Sequence, residues 1–305
     1  MKHVLPCGIV GVVQTPFLKD GGLDEESLAR LVESAIAAGV GGFVAPAVAS
    51  EVETLSPSER ERVVRVISET SKGRVPLIVG GSSGEIEECA AHGRTALAHG
   101  AAALLVAVPA TLYGDPAGAI AFFESLAARV EVPLVVQDLQ WSGPGLDIEC
   151  IAEMARRIPT FAGLKIETVP AGPKYTEVRE RLGEDVYIAG GWAVPQMIEA
   201  LDRGVDALMP ECSMIPVYVR IARLHASGKR EAAIDLFRQL LPVLAYTNQE
   251  IRTSIAFFKE LLVRKEIFRT AVLRGTPFAW DRYNGRIAEE LIEHYLTLEK
   301  RGCLS

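Results

Sequence analysis

The 305 residues carry 39 acidic against 32 basic side chains, a formal charge of −7 without any Lys/Arg block, which argues against nucleic-acid and anionic-membrane partners because both need a basic face. No basic segment precedes an apolar one at the N-terminus and no run of about 18 apolar residues occurs, so neither secretion nor membrane spanning is expected. Five scattered cysteines (Cys7, Cys89, Cys150, Cys212 and Cys303) lack C-x-x-C spacing, which fits a reducing cytoplasm better than a disulfide framework or a zinc site.

Short apolar runs alternate with stretches of helical period, the pattern of βα units around a parallel sheet. The first run, residues 8–13, leads into Val12-Val13-Gln14-Thr15-Pro16, which lacks the glycine-rich phosphate fingerprint of a doubly wound sheet. A second run, 42–45, is followed by Ser56-Pro57-Ser58-Glu59, which combines an N-cap serine, a proline at the first helical position and a capping-box glutamate. Runs at 77–80 and 103–108 come next, then the helix cap Asp115-Pro116, a run at 133–137 and a further cap at Asp147. The last runs are 161–165, 186–189 and 207–209. Each is continuously apolar rather than alternating, as expected of strands covered on both faces. Eight of them predict a (β/α)8 TIM barrel over residues 1–215. From residue 216 to 305 the chain is mostly of helical period, with Ile221, Leu224, Ile234, Leu240 and Leu244 on apolar faces. This reads as C-terminal helices packed on the barrel and not independent of it.

Lys165 ends the apolar run Phe161-Ala162-Gly163-Leu164-Lys165-Ile166. Burying an ammonium is costly, so such a group either finds an anion or sheds its proton and becomes an amine able to attack a carbonyl. The structural alternative is a packed stem whose head reaches water or Glu167. In a (β/α)8 barrel the reactive groups sit at the C-terminal ends of the strands, and Lys165 falls there. So do Gln14 and Thr15, Ser50 and Glu51, Thr111 and Tyr113, Gln137, Asp138 and Trp141, Glu167, Trp192, and Glu211. None of the five histidines lies at a strand end, and the carboxylates are too dispersed for a metal cage. Amine chemistry with no metal and no cofactor is the expectation.

Several segments, taken in order, sharpen this reading. They are Gly11-Val12-Val13-Gln14-Thr15-Pro16-Phe17 with Asp20-Gly21 and Leu23-Asp24, then Glu51 with Thr54-Leu55-Ser56, Arg74-Val75-Pro76-Leu77-Ile78-Val79-Gly80, Val132-Pro133-Leu134-Val135-Val136, and Gly163-Leu164-Lys165. Over most of its length the chain resembles the dihydrodipicolinate synthase and N-acetylneuraminate lyase family, the class I, pyruvate-type Schiff-base lyases. The resemblance implies that Lys165 is the imine-forming lysine, that the substrate is a small 2-oxo acid such as pyruvate, and that the assembly is a homo-oligomer, tetramer or dimer. Departures from the family pattern are equally informative. Ala47-Val48-Ala49-Ser50-Glu51 stands where members carry Gly-Thr-Thr-Gly-Glu, leaving backbone N–H groups around Ala49 and the Ser50 hydroxyl as carboxylate donors. Gln137 stands in place of the catalytic tyrosine, Asp138 follows it, Tyr113 is near the position of the second tyrosine, Ser142 replaces the arginine of true synthases, and Glu211 introduces a charge at the eighth strand.

These differences argue against dihydrodipicolinate synthesis itself. The expected activity is that of a lyase, aldolase or dehydratase, acting on a 2-oxo acid through a Schiff base on Lys165. Asp138 and Glu211 are the candidate acid/base groups, with Glu167 and Tyr113 as alternatives. Ala49, Ser50, Gln137, Tyr113 and Trp192 are the candidate substrate contacts. The rival reading is a non-catalytic relative that binds a metabolite or regulates a partner, with Lys165 supplying only charge.

Overall fold

The computed structural model describes residues 5–191 and 194–301. Among them, eight parallel strands close into a barrel in chain order: β1 (Gly8–Val12), β2 (Gly42–Ala45), β3 (Leu77–Gly80), β4 (Ala103–Ala107), β5 (Leu134–Leu139), β6 (Phe161–Glu167), β7 (Tyr187–Gly190) and β8 (Ala207–Leu208), with β8 pairing back to β1. Seven helices, α1 (Glu25–Ala37), α2 (Pro57–Ser71), α3 (Ile86–Ala98), α4 (Pro116–Ala127), α5 (Ile148–Arg157), α6 (Gly172–Leu182) and α7 (Met197–Asp202), connect successive strands. The chain ends in α8 (Ile215–Ala226), α9 (Arg230–Thr247), α10 (Ile251–Arg264) and α11 (Arg282–Arg301). No described helix is long and apolar enough to cross a membrane.

Local chemistry sets the helix starts. Ser56 and Glu59 form the reciprocal capping box at α2, the Glu59 amide donating to the Ser56 hydroxyl and the Ser56 amide to the Glu59 carboxylate. The Asp115 carboxylate accepts from the Gly118 amide at the start of α4. Asp147 precedes α5 as expected, but its side chain makes no capping bond.

Two features go beyond the sequence expectation. First, β5 and β6 run two residues further, to Leu139 and Glu167, because their ladder continues through Gln137↔Lys165 and Leu139↔Glu167. Strand alternation therefore governs residues 137–139 and 165–167. Val135 lies in the cluster that fills the barrel interior, with Val10, Val44, Ile78, Leu105 and Ala189. Val136, Leu164 and Ile166 belong to the layer between barrel and helices. Gln137, Leu139, Lys165 and Glu167 consequently face inward, and Asp138 faces out. Second, α8 packs directly on β1 as well as on α9, ahead of the rest of the C-terminal extension. It is fastened to the barrel: the Thr270 hydroxyl donates to the Phe17 carbonyl at 2.6 Å, and the Arg274 guanidinium lies 4.1 Å from the Phe17 ring centroid while bonding Glu59 and the Gly21 carbonyl.

Candidate active site

A cavity opens at the C-terminal end of the barrel, and Lys165, Glu167 and Gln137 lie in its wall. The Lys165 ammonium nitrogen is 3.1 Å from Glu167 Oε2, and each side chain is only 5% exposed. The same carboxylate oxygen accepts from Gln137 Nε2 at 2.5 Å. Because Lys165 and Glu167 are two apart on one strand and Gln137 is the cross-strand partner of Lys165, strand register brings the three groups to one spot. Gly191, just beyond β7, makes room for them. A Cβ there would collide with Glu167 Oε1 and approach the Lys165 Cε to 2.6 Å.

The opposite wall comes from two separate parts of the chain. After β2 the segment Ala47–Ala49 lines the cavity and enters a 3-10 turn, Val48–Ser50. Glu51 follows in the left-handed region at φ 56°, a conformation that costs a non-glycine residue about 1–2 kcal/mol. Its side chain is held from afar: fully buried Lys259 of α10 bonds its carboxylate, the Arg274 amide donates to it at 2.8 Å, and the Lys259 nitrogen sits 4.3 Å from the Phe17 ring centroid. Burial pushes the Lys259 amine down to about 8, with Glu51 opposing the shift. Ile251, Ser254 and Phe258 of α10 complete the wall. In sequence these residues belong to the stretch of helical period from 216 to 305. Their i, i+3, i+7 spacing marks one helix face, but only the docking of α10 on the β2 loop aims that face at the barrel mouth.

Glu211 lies just past β8, paired through its backbone with Val12 and lining the cavity. Its Oε2 accepts from Gln14 Nε2 at 2.8 Å and from the Ser213 amide, while Oε1 is buried without a partner. Burial raises the Glu211 carboxyl above the usual carboxylate range, against the pull of those donors.

The remaining sequence candidates are located as follows. Ala49 and Trp141 line the cavity, the latter half exposed. Asp138 is fully buried and faces the helix layer. Lys174 of α6 donates to it at 2.5 Å, as do the Leu146 amide at 3.1 Å and the Tyr113 hydroxyl at 3.2 Å. Lys174 also donates to the Pro144 and Leu146 carbonyls, so Asp138 organises the loop after β5 rather than facing the cavity, and Tyr113 goes with it. Gly145, at φ 75°, closes that loop where any Cβ would strike the Asp138 carboxylate. Burial pushes the Asp138 carboxyl up and the Tyr113 phenol well up. Ser50 is likewise engaged inside its own loop, donating to the Val13 carbonyl at 2.5 Å and accepting from the Ala47 amide at 2.9 Å. Trp192 lies outside the described residues.

The sequence profile of the Dihydrodipicolinate synthetase family matches residues 5–279. The L-2-keto-3-deoxyarabonate dehydratase of Azospirillum brasilense is 32% identical over 261 residues, 83% of this chain and 84% of that protein. The chain belongs to the dihydrodipicolinate synthetase family. A 4-hydroxy-tetrahydrodipicolinate synthase of Bartonella quintana is 27% identical over 245 residues, 77% of this chain and 81% of its own. Among solved structures, the dihydrodipicolinate synthase of Rhodopseudomonas palustris superposes with a TM-score of 0.87 at 22% identity, covering 98% of both chains. The sialic acid aldolase of Ruminococcus gnavus gives 0.87 at 16% identity, covering 97% of this chain and 98% of its own. These two likenesses carry the fold. Membership puts the protein among the lyases of the dihydrodipicolinate synthase and N-acetylneuraminate lyase class, as a divergent member whose fifth strand presents an amide, Gln137, beside the lysine.

Proposed function

We propose that the protein is a Schiff-base dehydratase of a 2-keto-3-deoxy sugar acid, with Lys165 as nucleophile and Glu167 as the base beside it. The observation that carries this reading is the inward-facing set Lys165, Glu167 and Gln137. A nucleophilic amine needs a partner within hydrogen-bond reach to take its proton, and that partner needs orienting. Glu167 is 3.1 Å from the amine and Gln137 fixes the same oxygen. Gln137 cannot titrate, so its role is orientation, and proton transfer falls to the carboxylate.

In the proposed sequence Glu167 takes one proton from the Lys165 ammonium, the amine adds to the C2 ketone and passes a second proton to its oxygen, and Glu167 returns the first as that oxygen leaves in water. The iminium then draws electrons from the neighbouring C–H bond. Glu167 removes a C3 proton, the enamine forms, its electron pair expels the C4 hydroxyl, and water then hydrolyses the unsaturated iminium to release the product and free Lys165. The substrate carboxylate lies against the N–H groups of Val48 and Ala49, which open a 3-10 turn and have no acceptor within it. The dehydratase relative supports elimination over aldol cleavage, since it matches over most of both chains.

The test is to incubate the protein with a panel of 2-oxo acids, pyruvate and 2-keto-3-deoxyarabonate included, reduce with borohydride and map added mass by peptide mass spectrometry. An adduct confined to Lys165 and absent from Lys165→Ala is expected, with an unsaturated or rearranged product of the same carbon count from the deoxy acid. No adduct with any oxo acid in folded protein would favour the non-catalytic reading. Pyruvate among the products would favour aldol cleavage.

A further inference from the structure

We propose that Glu211 is the proton donor to the departing hydroxyl, and that it is refilled through a buried hydroxyl chain, Ser213, Tyr218 and Tyr295, ending at the Lys265–Glu299 pair. The proposal rests on the elimination just described. It starts from a concentration of poorly bonded buried polar atoms. Five side-chain atoms among the described residues lack a well-formed hydrogen bond, and four of them are Glu211 Oε1, Ser213 Oγ, Tyr218 Oη and Tyr295 Oη, with the Ser213 hydroxyl close beside the Glu211 carboxylate and the Tyr295 hydroxyl close beside Glu299. Buried polar groups are overwhelmingly satisfied in folded proteins, so a local cluster of exceptions calls for a function or for bridging water.

These residues neighbour one another: the Glu211 carboxyl acts on the Tyr218 phenol, and Tyr218 and Glu299 act on the Tyr295 phenol. Glu211 lines the cavity and receives the Ser213 amide. Lys265 donates to the Ser213 carbonyl at 2.9 Å and to Glu299 Oε2 at 2.9 Å, and its nitrogen is 5.7 Å from the Tyr295 ring centroid. Glu299 lines a separate cavity on the outside of the barrel, beside Arg220 and Leu236. The set thus reaches from the cavity at the barrel mouth, which Glu211 lines, to the outer cavity, which Glu299 lines.

The chemistry suits proton delivery. Both N–H donors to Glu211 converge on Oε2, which leaves Oε1 to carry a proton, and burial shifts the balance toward the neutral acid. Hydroxyls both donate and accept, so a chain of them bridged by water passes a proton without any member ionising. Burial pushes the Tyr218 and Tyr295 phenols well above their ordinary range, which keeps them neutral carriers. In the elimination, the C4–O electron pair leaves with the oxygen, the proton from Glu211 makes that oxygen water, and Glu211 regains a proton through the chain. Glu167 releases its C3 proton to solvent, so the count balances.

Glu211→Gln keeps the shape and the neutral charge but has no proton to give. The wild type should show the infrared carbonyl stretch of a protonated carboxylic acid at neutral pH, and Glu211→Gln should lack that band. The variant should still yield the borohydride-trapped pyruvate adduct on Lys165, while turnover of 2-keto-3-deoxyarabonate falls about 10²-fold or more. Tyr218→Phe and Tyr295→Phe should fold, trap pyruvate normally and lose turnover progressively as pH rises, where refilling is hardest. They carry the test if Glu211→Gln does not fold. An adduct with undiminished turnover in Glu211→Gln, or pH profiles unchanged in both phenylalanine variants, would overturn the relay alone. Absence of the adduct from the wild type would overturn the Schiff-base reading and this inference with it.

Discussion

At the scale of single residues, the separation between Lys165 and Glu167 is set less by either residue than by the space Gly191 leaves for them. A methyl group at 191 would overlap the Glu167 carboxylate and crowd the lysine stem. Gly191→Ala should therefore fold with a melting temperature close to that of the wild type and lose at least about 10-fold in kcat, because small misplacements of a reacting pair are costly. Thermal melts beside steady-state kinetics separate these outcomes. Glu167→Gln asks a different question. The amide keeps the volume but cannot accept the lysine's proton, so the rate of borohydride-trapped adduct formation with pyruvate should fall about 10²-fold. A rate within a factor of two of the wild type would rule out Glu167 as the base. Lys165 was legible in the sequence because a lysine closing an apolar run violates the strand pattern. The inward direction of Glu167 followed once the strand was known to continue. The outward direction of Asp138 was hidden for the complementary reason: ending β5 at residue 137 makes position 138 look like a loop residue, whereas two more ladder pairs turn it away from the cavity.

At the scale of elements, the site is a joint between the barrel and α10. Buried Lys259 holds the carboxylate of Glu51, and Glu51 lies in the left-handed conformation that ends the turn lining the cavity. Removing one partner of a buried ion pair leaves the other charge uncompensated and costs about 3–5 kcal/mol. Lys259→Met should destabilise the fold by that order in denaturant titrations. The double variant Lys259→Met/Glu51→Leu should recover much of the loss, since an apolar pair avoids the stranded charge. If the single variant were as stable as the wild type, this lock would have no energetic role. The eight strands and the capping box of Ser56 and Glu59 were readable from local pattern because each reflects nearest-neighbour chemistry. The pairing of residue 51 with residue 259 was not, since it spans most of the chain and leaves no periodic trace. For the same reason the wall formed by Ile251, Ser254 and Phe258 was hidden, although the apolar face itself was visible.

At the scale of the whole molecule, two carboxyls make stability depend on pH in opposite directions. Arg274 fastens the C-terminal extension to the start of α2, and its bonds to Glu59 hold that carboxyl down at about 2 against an ordinary 4.5. A depressed carboxyl contributes stability that is fully present above 4.5 and is lost as pH falls through about 2. The pair is partly open to solvent, which limits its worth to about 1 kcal/mol. Glu59→Gln should thus unfold more readily than the wild type at neutral pH, with the difference shrinking toward pH 2. Glu211 has the reverse sign. Its carboxyl is raised by burial, so between the unfolded and folded values the folded state holds a proton that the unfolded state has released. Its contribution is fully present below the unfolded value near 4.5 and is lost as pH rises through the folded value. Glu211→Gln cannot release a proton in either state and has no such dependence. Comparing unfolding free energies of the wild type and Glu211→Gln in urea across pH 4 to 9 isolates the effect. The wild type should lose stability relative to the glutamine variant as pH rises. A constant difference over the whole range would mean that burial does not hold the Glu211 proton, and the acid assigned to the cavity would have to come from another group.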